Sequence, residues 1–270
     1  MIIDAHCHIY PDMIAERAVE GTGHFYHMPM RLDGRVSTLL REGTAAGIDH
    51  FVVQSVATKP SQVTAINRFI ARSVAQSDGR MTGLGTLHPD SPDIAGDIER
   101  LLELGLKGVK LHPDMQGFKL DDYRCLKIYE LCEGRLPLLI HTGDSRYDFS
   151  NPNRLRPILE IYTGLAVIGA HFGGFSMWEE ACELLWDCKR LYVDCSSSLF
   201  ALSPETARRL VRRYGAERVL FGTDYPMWRP SEELARFRAL DLTETENEQI
   251  LWRNAARLFN IPVQEKERTT

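Results

Sequence analysis

Short apolar runs of strand length alternate with amphipathic stretches of helical length along almost the whole chain. The runs at 50–56 and 136–143 are typical of buried strands, and the segments at 60–77 and 203–215 have the period of helices. Strands that are separated by helices pair in parallel, and about eight such units follow one another in the sequence. We therefore expect an α/β fold, a distorted (β/α)8 TIM barrel with one additional C-terminal helix.

The length of the chain suits one domain. Its 270 residues, 44% of them hydrophobic, are enough for a single large barrel. We expect this domain to span residues 1–262 and the last residues, 263–270, to be a short disordered tail.

Three local predictions concern loops and helix ends. We expect a polar loop over 21–34 and a helix that begins near Ser91. A terminal helix over 243–259 should start with a capping box formed by Thr243 and Glu246.

Charge and composition disfavour several kinds of partner. The net charge of −5 gives no general attraction to nucleic acid or to an anionic membrane. The N-terminus resembles neither a signal peptide nor a transmembrane helix, and the six cysteines lack paired spacing. We expect reduced thiols, a cytoplasmic location and a small-molecule substrate, with a homodimer as one expected assembly.

Seven polar residues occur where predicted strands end. They are His6, His8, His88, His112, His141, His171 and Asp224. The carboxyl ends of the strands of a (β/α)8 barrel meet on one face, so these residues should lie around one point. A carboxylate at the end of a buried strand is costly unless it is paired, which marks Asp224 as a functional candidate.

The opening segment MIIDAHCH places two histidines at alternate positions of a strand. Side chains alternate between the faces of a strand, so His6 and His8 should point to one side and Cys7 to the other. Several imidazoles with one carboxylate, and a position left for water, are the ligands of a catalytic Zn²⁺ or a similar divalent ion. The sequence therefore predicts a catalytic metal centre.

Several motifs resemble the amidohydrolase superfamily in their order and spacing. They are IDAHCH at the first strand, GVKLHP at the fourth, HTG at the fifth, AHFGG at the sixth, GTDYP at the eighth and the closing NAARLFNI. The resemblance covers nearly the whole chain. It is to the amidohydrolase-2 branch, which includes aminocarboxymuconate-semialdehyde decarboxylase, other non-oxidative decarboxylases, hydratases and dicarboxylate lactonases.

The resemblance implies which residues bind the metal. His6, His8, His141 and Asp224 would hold one divalent ion, with Zn²⁺ expected and Mn²⁺ or Co²⁺ as alternatives. Such an ion lowers the pKa of bound water to about 7. Asp224 would then be the catalytic base and acid, and His171, the second catalytic residue, would position the water or polarise the electrophile.

Lys110 and His112 share parity on the fourth strand and should face the barrel interior. In other branches of the superfamily a lysine of this strand is carbamylated and bridges two metal ions. Lys110 lies two residues before the usual ligand position, and the resembled branch usually holds one ion. We therefore expect one ion, with substrate contacts from His112 and Lys110, and a local capping role for His88.

Loop residues are the candidates for further contacts with the substrate. They are the cations Lys59, Arg146 and Arg229 and the aromatic residues Phe25, Tyr26 and Trp228. The cations would bind a carboxylate and the aromatic rings would wall the pocket. Each also fits a simpler role, as a solvated charge or as packing of a loop onto the barrel.

The sequence is consistent with two reactions at the predicted centre. The preferred one is hydrolysis of an ester, lactone or amide of a small organic molecule by metal-activated water. The alternative is non-oxidative decarboxylation of a small unsaturated or aromatic carboxylic acid. A barrel without catalysis is disfavoured because every expected ligand position is filled, and a nuclease branch is disfavoured because no predicted strand end supplies its glutamate ligand.

Overall fold

The computed structural model describes residues 1–263, and within this range it has nine short strands. They are β1 (Ile3–His8), β2 (His50–Gln54), β3 (Met81–Gly83), β4 (Gly85–Thr86), β5 (Val109–Leu111), β6 (Leu138–Ile140), β7 (Val167–Gly169), β8 (Leu191–Asp194) and β9 (Val219–Leu220). Only Leu84 separates β3 from β4, so the strands occupy eight positions. Apart from Val263, the predicted tail over 263–270 lies outside the described residues.

All neighbouring strands are parallel, in the order β1-β2-β3 and then β4 to β9. Backbone hydrogen bonds also join β1 to the segment at and after β9. The amide of Ala5 donates to the carbonyl of Phe221 at 2.8 Å, and that of His8 donates to Tyr225 at 2.7 Å. The strands therefore form the parallel barrel that the alternating pattern predicts.

Helices connect the strands. They are α1 (Asp12–Tyr26), α2 (Val36–Ala45), α3 (Val63–Ala75), α4 (Ile94–Glu103), α5 (Pro113–Gln116), α6 (Tyr123–Cys132), α7 (Pro152–Ile161), α8 (Trp178–Leu185), α9 (Pro204–Tyr214), α10 (Pro230–Arg238), α11 (Glu244–Glu248) and α12 (Asn254–Phe259). A π-helical turn, Gln249–Arg253, makes α11 and α12 one continuous C-terminal helix. Within residues 1–263, no helix has both the length and the apolar character needed to cross a membrane.

Two apolar clusters stabilise the barrel. The larger lies between the strands and the surrounding helices. The smaller fills the barrel interior, where Leu139, Ile168 and Leu220 belong to one cluster with Phe259 and Ile261. The C-terminal helix therefore packs against the end of the barrel opposite the carboxyl ends of the strands, and those ends remain available for a functional site.

One predicted element is wrong. The segment 21–34 is not a loop throughout, because α1 continues to Tyr26 and contains both Gly21 and Gly23. A glycine inside a helix costs about 1 kcal/mol relative to alanine. Packing of α1 over the barrel, where Ala15 is fully buried, outweighs this local preference.

The helix ends agree in part with the sequence. The helix expected near Ser91 is α4, and its cap is Asp93, whose carboxylate accepts from the amide of Gly96 at 2.9 Å. The predicted capping box is confirmed. The amide of Glu246 donates to the Thr243 hydroxyl at 3.2 Å, and the amide of Thr243 donates to the Glu246 carboxylate at 2.8 Å.

The carboxamide of Asn254 attaches the C-terminal helix to the start of β9, because it donates to the carbonyls of Ala216 and Val219 at 2.7 Å each. Asn254→Leu should lower the free energy of unfolding by about 1–3 kcal/mol, since buried carbonyls lose their donor. Urea denaturation measures this change. Asn153→Leu, at an exposed position of α7, is the control and should stay within about 0.5 kcal/mol of wild type. Unchanged stability of Asn254→Leu would contradict the assignment.

Candidate metal centre and substrate cavity

The two histidines of β1 and the aspartate after β9 meet at the carboxyl end of the barrel. His6 Nε2 lies 3.2 Å from His8 Nε2 and 3.3 Å from Asp224 Oδ1, and His8 Nε2 lies 3.5 Å from the same oxygen. Asp224 has a φ of +57°, a left-handed conformation that few residues other than glycine adopt. The three residues, called here the ligand triad, each offer an atom within 4.8 Å of the others.

A buried carboxylate fixes the ring of His6. Nδ1 of His6 donates to Asp194 Oδ2 at 2.9 Å, which leaves the lone pair of Nε2 directed towards Asp224. Burial raises the pKa of Asp194, but interaction with His6, including its hydrogen bond, outweighs burial and lowers this pKa to about 2. At Asp224, interactions with His6 and His171 and the hydrogen bond from Ser197 likewise outweigh burial, and the pKa lies below its usual range. A carboxylate behind a ligating histidine fixes its tautomer and raises its basicity.

His171 and His141 form a second pair of imidazoles beside the triad. His171, with a φ of +59°, donates from Nδ1 to the carbonyl of Ser196 at 2.9 Å, so its Nε2 carries a lone pair. That atom lies 3.1 Å from His141 Nδ1. Among the described residues, His141 Nε2 is buried without a hydrogen-bond partner, and the nearest carboxylate oxygen is Asp114 Oδ2 at 3.6 Å.

The arrangement of these ring nitrogens fits a bound cation. Nε2 of His6 and of His171 are lone-pair atoms, and each lies 3.1–3.2 Å from a nitrogen of another imidazole. Such contacts are unfavourable unless a proton or a metal ion lies between the rings. Burial and nearby positive charges lower the pKa of His8 and of His141 well below the usual value, which keeps both rings neutral, the form in which imidazole binds a metal ion. The donor set suits a divalent ion that accepts imidazole and carboxylate ligands.

The predicted fourth ligand, His141, lies next to the ligand triad and not inside it. Its imidazole belongs to a separate group of potential ligands with His112 and Asp114. The ring of His171 lies between the two groups, with its centroid 5.3 Å from that of His6 and 4.9 Å from that of His141. All the predicted ligands therefore lie at one end of the barrel, in two adjacent groups.

Lys110 and Tyr26 bring polar hydrogens to the same space. Lys110 Nζ lies 3.2 Å from His6 Nε2, and burial, partly offset by nearby carboxylates, lowers its pKa to about 8. The hydroxyl of Tyr26 lies 2.7 Å from His112 Nε2 and 3.4 Å from His141 Nδ1. The rings of His112 and His141 stack with centroids 4.0 Å apart. These side chains form a polar surface beside the candidate metal site.

A cavity of about 710 Å³ opens above these polar residues. Its floor contains the ligand triad together with Lys110, His112, His141 and His171. Its walls are mainly apolar and include residues of α1 and α3, with Tyr26 and Phe25 at the end of α1. A largely apolar cavity with a few convergent polar groups is typical of a site for a small molecule.

Two residues predicted to contact the substrate lie away from the cavity lining. Arg146 is bound by the carboxylate of Asp144 at 2.6 Å and donates to the carbonyl of Phe25 at 2.8 Å. Trp228 is buried and donates from its indole nitrogen to the hydroxyl of Ser197 at 2.9 Å. Ion pairing and packing therefore direct both side chains away from the substrate space.

The other two cationic loop candidates lie away from the cavity lining, and His88 has a local role. Arg229 pairs with Glu42 at 3.2 Å, and neither it nor Lys59 lines the cavity within the described part of the chain. His88 accepts a hydrogen bond at Nδ1 from the amide of Asp90 at 3.2 Å, the local capping role that the sequence predicts.

Sequence reasoning missed several residues of the centre. Asp194 carries the same signal as Asp224, a charged residue at the end of an apolar strand, and could have been found by it. Ser197 donates to Asp224 Oδ2 at 2.6 Å, and Asp114 faces His141, but neither residue type stands out in a polar segment.

Two comparisons identify sequence relatives of the chain. The protein-family model described as amidohydrolase matches residues 3–261. A gamma-resorcylate decarboxylase from Polaromonas sp. (strain JS666 / ATCC BAA-500) is 24% identical in an alignment of 248 residues, with 72% of this chain and 75% of the relative covered.

Solved structures share the fold. An uncharacterised TIM-barrel protein from Bordetella bronchiseptica has a TM-score of 0.82 and 21% identity, with 96% of this chain and 98% of that chain covered. A dihydroxybenzoic acid decarboxylase from Polaromonas sp. JS666, with bound manganese and the inhibitor 2-nitroresorcinol, has a TM-score of 0.76 and 17% identity, with 98% of both chains covered. These similarities confirm the predicted TIM barrel.

The carboxylate behind His6 gives a direct test of the centre. Asp194→Asn should weaken binding of Zn²⁺ or Mn²⁺ by about 10–100-fold, because the amide cannot hold the His6 tautomer as the carboxylate does. Competition with a chelating dye measures the affinity. Asp78→Asn is the control, since Asp78 is exposed and its φ of +51° is tolerated by asparagine. Equal affinity of Asp194→Asn and wild type would refute the role of Asp194.

Proposed function

Because the chain belongs to the amidohydrolase family of enzymes, we propose that it is a metal-dependent decarboxylase of a small unsaturated or aromatic carboxylic acid. The observation that carries the proposal is the similarity to a named decarboxylase over most of both chains. The apolar cavity that ends at a polar centre is consistent with it. Hydrolysis at the same centre, which the sequence alone favours, has less support, because the named relatives described above are decarboxylases.

The centre would hold one divalent ion. We assign the ion to the ligand triad, with His141 of the adjacent group as the fourth ligand, because all four side chains line the cavity and His141 Nε2 is buried without a hydrogen-bond partner among the described residues. Imidazole and carboxylate ligands suit both Zn²⁺, the ion expected from the sequence, and Mn²⁺, which the related decarboxylase structure holds. When bound, the ion acts as a Lewis acid that stabilises negative charge on substrate oxygens.

Decarboxylation requires a proton at the carbon that loses CO2. The carbon–carbon bond breaks and leaves its electron pair on that carbon, so one proton has to be delivered there. We assign this role to Asp224, which takes a proton from the bound acid or from solvent. The hydroxyl of Ser197 holds Oδ2 of Asp224 at 2.6 Å, while Oδ1 faces His6 and His8. His171, whose Nδ1 is occupied by a backbone carbonyl, presents only Nε2 to the substrate and would position it.

Three further side chains would orient the carboxylate and ring of the substrate. His112 accepts at Nδ1 from the amide of Met115 at 3.3 Å, so its Nε2 is free to donate to the Tyr26 oxygen. The hydroxyl hydrogen of Tyr26 is then available to a substrate oxygen. The ammonium of Lys110 supplies a positive charge at the floor of the cavity, where a carboxylate would otherwise be desolvated without a partner.

Release of CO2 tests the reaction. Wild type should release one CO2 for each molecule of 2,6-dihydroxybenzoate or a related aromatic acid consumed. Asp224→Asn should be slower by at least about 100-fold, because asparagine cannot carry the proton. CO2 is measured by trapping and the acid by chromatography. The control is Asp241→Asn, an exposed position with a φ of +49°, which should keep wild-type turnover.

Two results would contradict the proposal. Cleavage of an ester, lactone or amide without CO2, lost in Asp224→Asn, would establish hydrolysis instead. Indistinguishable turnover of aromatic acids by wild type and Asp224→Asn would remove Asp224 from the reaction.

A further inference from the structure

The cavity extends well beyond its polar floor. The residues assigned to metal and proton transfer occupy one end, whereas α1 contributes seven lining residues and α3 three. Its volume of about 710 Å³ lies within the range of about 300–1,000 Å³ typical of sites for drug-sized ligands. A single-ring acid bound at the floor would leave the space between the two helices unfilled.

The α1 wall is one stripe of the helix. Ile14, Ala18, Gly21 and Phe25 line the cavity at spacings of three and four residues, which places them on one face. Arg17 and Thr22, on the same face, add polar groups to this wall. The two small residues in the middle of the stripe leave a gap in this wall. A Cβ at Gly21 would have no atom within 4 Å, so close packing does not require glycine there. Its effect is to widen the cavity.

The α3 wall repeats this arrangement. Ala65, Ile66 and Phe69 line the cavity from one face of α3, again with a small residue beside larger apolar ones. Met115, between the walls and the floor, adds a flexible apolar side chain that can adapt to different shapes. The two stripes enclose a mainly apolar space, called here the slot, which opens beside the ligand triad.

We propose that the substrate has an extended apolar body, with two fused or linked rings, which occupies the slot while its carboxylate reaches the floor. The identity of the reacting carboxylate rests on the proposed function, and the size of the body rests on the slot. Transfer of a second ring from water into an apolar slot is favourable in proportion to the apolar area buried. The slot therefore selects acids larger than one ring.

A matched pair of acids tests this selection. 2-Hydroxybenzoate and 3-hydroxy-2-naphthoate share the ortho-hydroxy carboxylate and differ by one fused ring. Isothermal titration of the protein loaded with Zn²⁺ or Mn²⁺ should give a dissociation constant about tenfold lower, or better, for the naphthoate.

Variants of both walls test whether the slot causes the tighter binding of the naphthoate. Gly21→Leu and Ala65→Leu fill the slot from opposite sides, and each should weaken binding of the naphthoate about tenfold while changing that of hydroxybenzoate less than about threefold. Gly21→Ala is the matched control, because it replaces the same helical glycine but adds only one carbon. It should bind both acids as wild type does.

Equal dissociation constants for the two acids in wild type would overturn the inference, as would equal losses for both acids in the leucine variants. CO2 release is recorded in parallel to separate this inference from the proposed function. Selective binding of the naphthoate without CO2 from either acid would uphold the slot and contradict the decarboxylase. CO2 from hydroxybenzoate, with no preference for the naphthoate, would uphold the decarboxylase and contradict the slot.

Discussion

Buried imidazoles and carboxylates at the carboxyl end of the barrel are the constraint on which the rest of the structure depends. Charges and lone pairs that are removed from water have to be paired. Asp194 orients His6, and the carbonyl of Ser196 orients His171, so the remaining lone pairs face other ring nitrogens at 3.1–3.2 Å. A divalent ion would bind these lone pairs together with His141 Nε2, which has no hydrogen-bond partner among the described residues. The parallel barrel supplies the rigid frame, because it brings strand ends from position 6 to position 224 around one point.

Much of the fold and part of the centre could be predicted because their signals are local. The alternation of strands and helices needs only the period of the apolar residues, and the common direction of His6 and His8 needs only the period of a strand. The partners that orient these ligands could not be predicted from local signals. Asp194 is separated from His6 by 188 residues, and only closure of the barrel brings it to the ring.

Phe25 and Tyr26 line the cavity as the sequence predicts, but the rest of its α1 wall escaped prediction for another reason. Gly21 and Gly23 disfavour a helix locally, yet α1 continues through both, and its exposed stripe forms one side of the slot. Arg146 and Trp228 have the chemistry expected of substrate contacts, but ion pairing and indole hydrogen bonding remove both from the lining. In each case, contacts between distant segments decide which side chains meet the substrate, and a single sequence does not contain those contacts in readable form.

Elemental analysis of the metal content, on protein purified without chelator, tests the central claim most directly. A single centre at the ligand triad predicts about one equivalent of a divalent ion per chain, lost from a variant in which His6 and His8 are both alanine. About two equivalents would contradict a single ion and favour a second site at Lys110 or at the group of His112, Asp114 and His141. Protein that carries no metal and fails to bind added zinc, manganese or cobalt would remove the basis of the proposed chemistry.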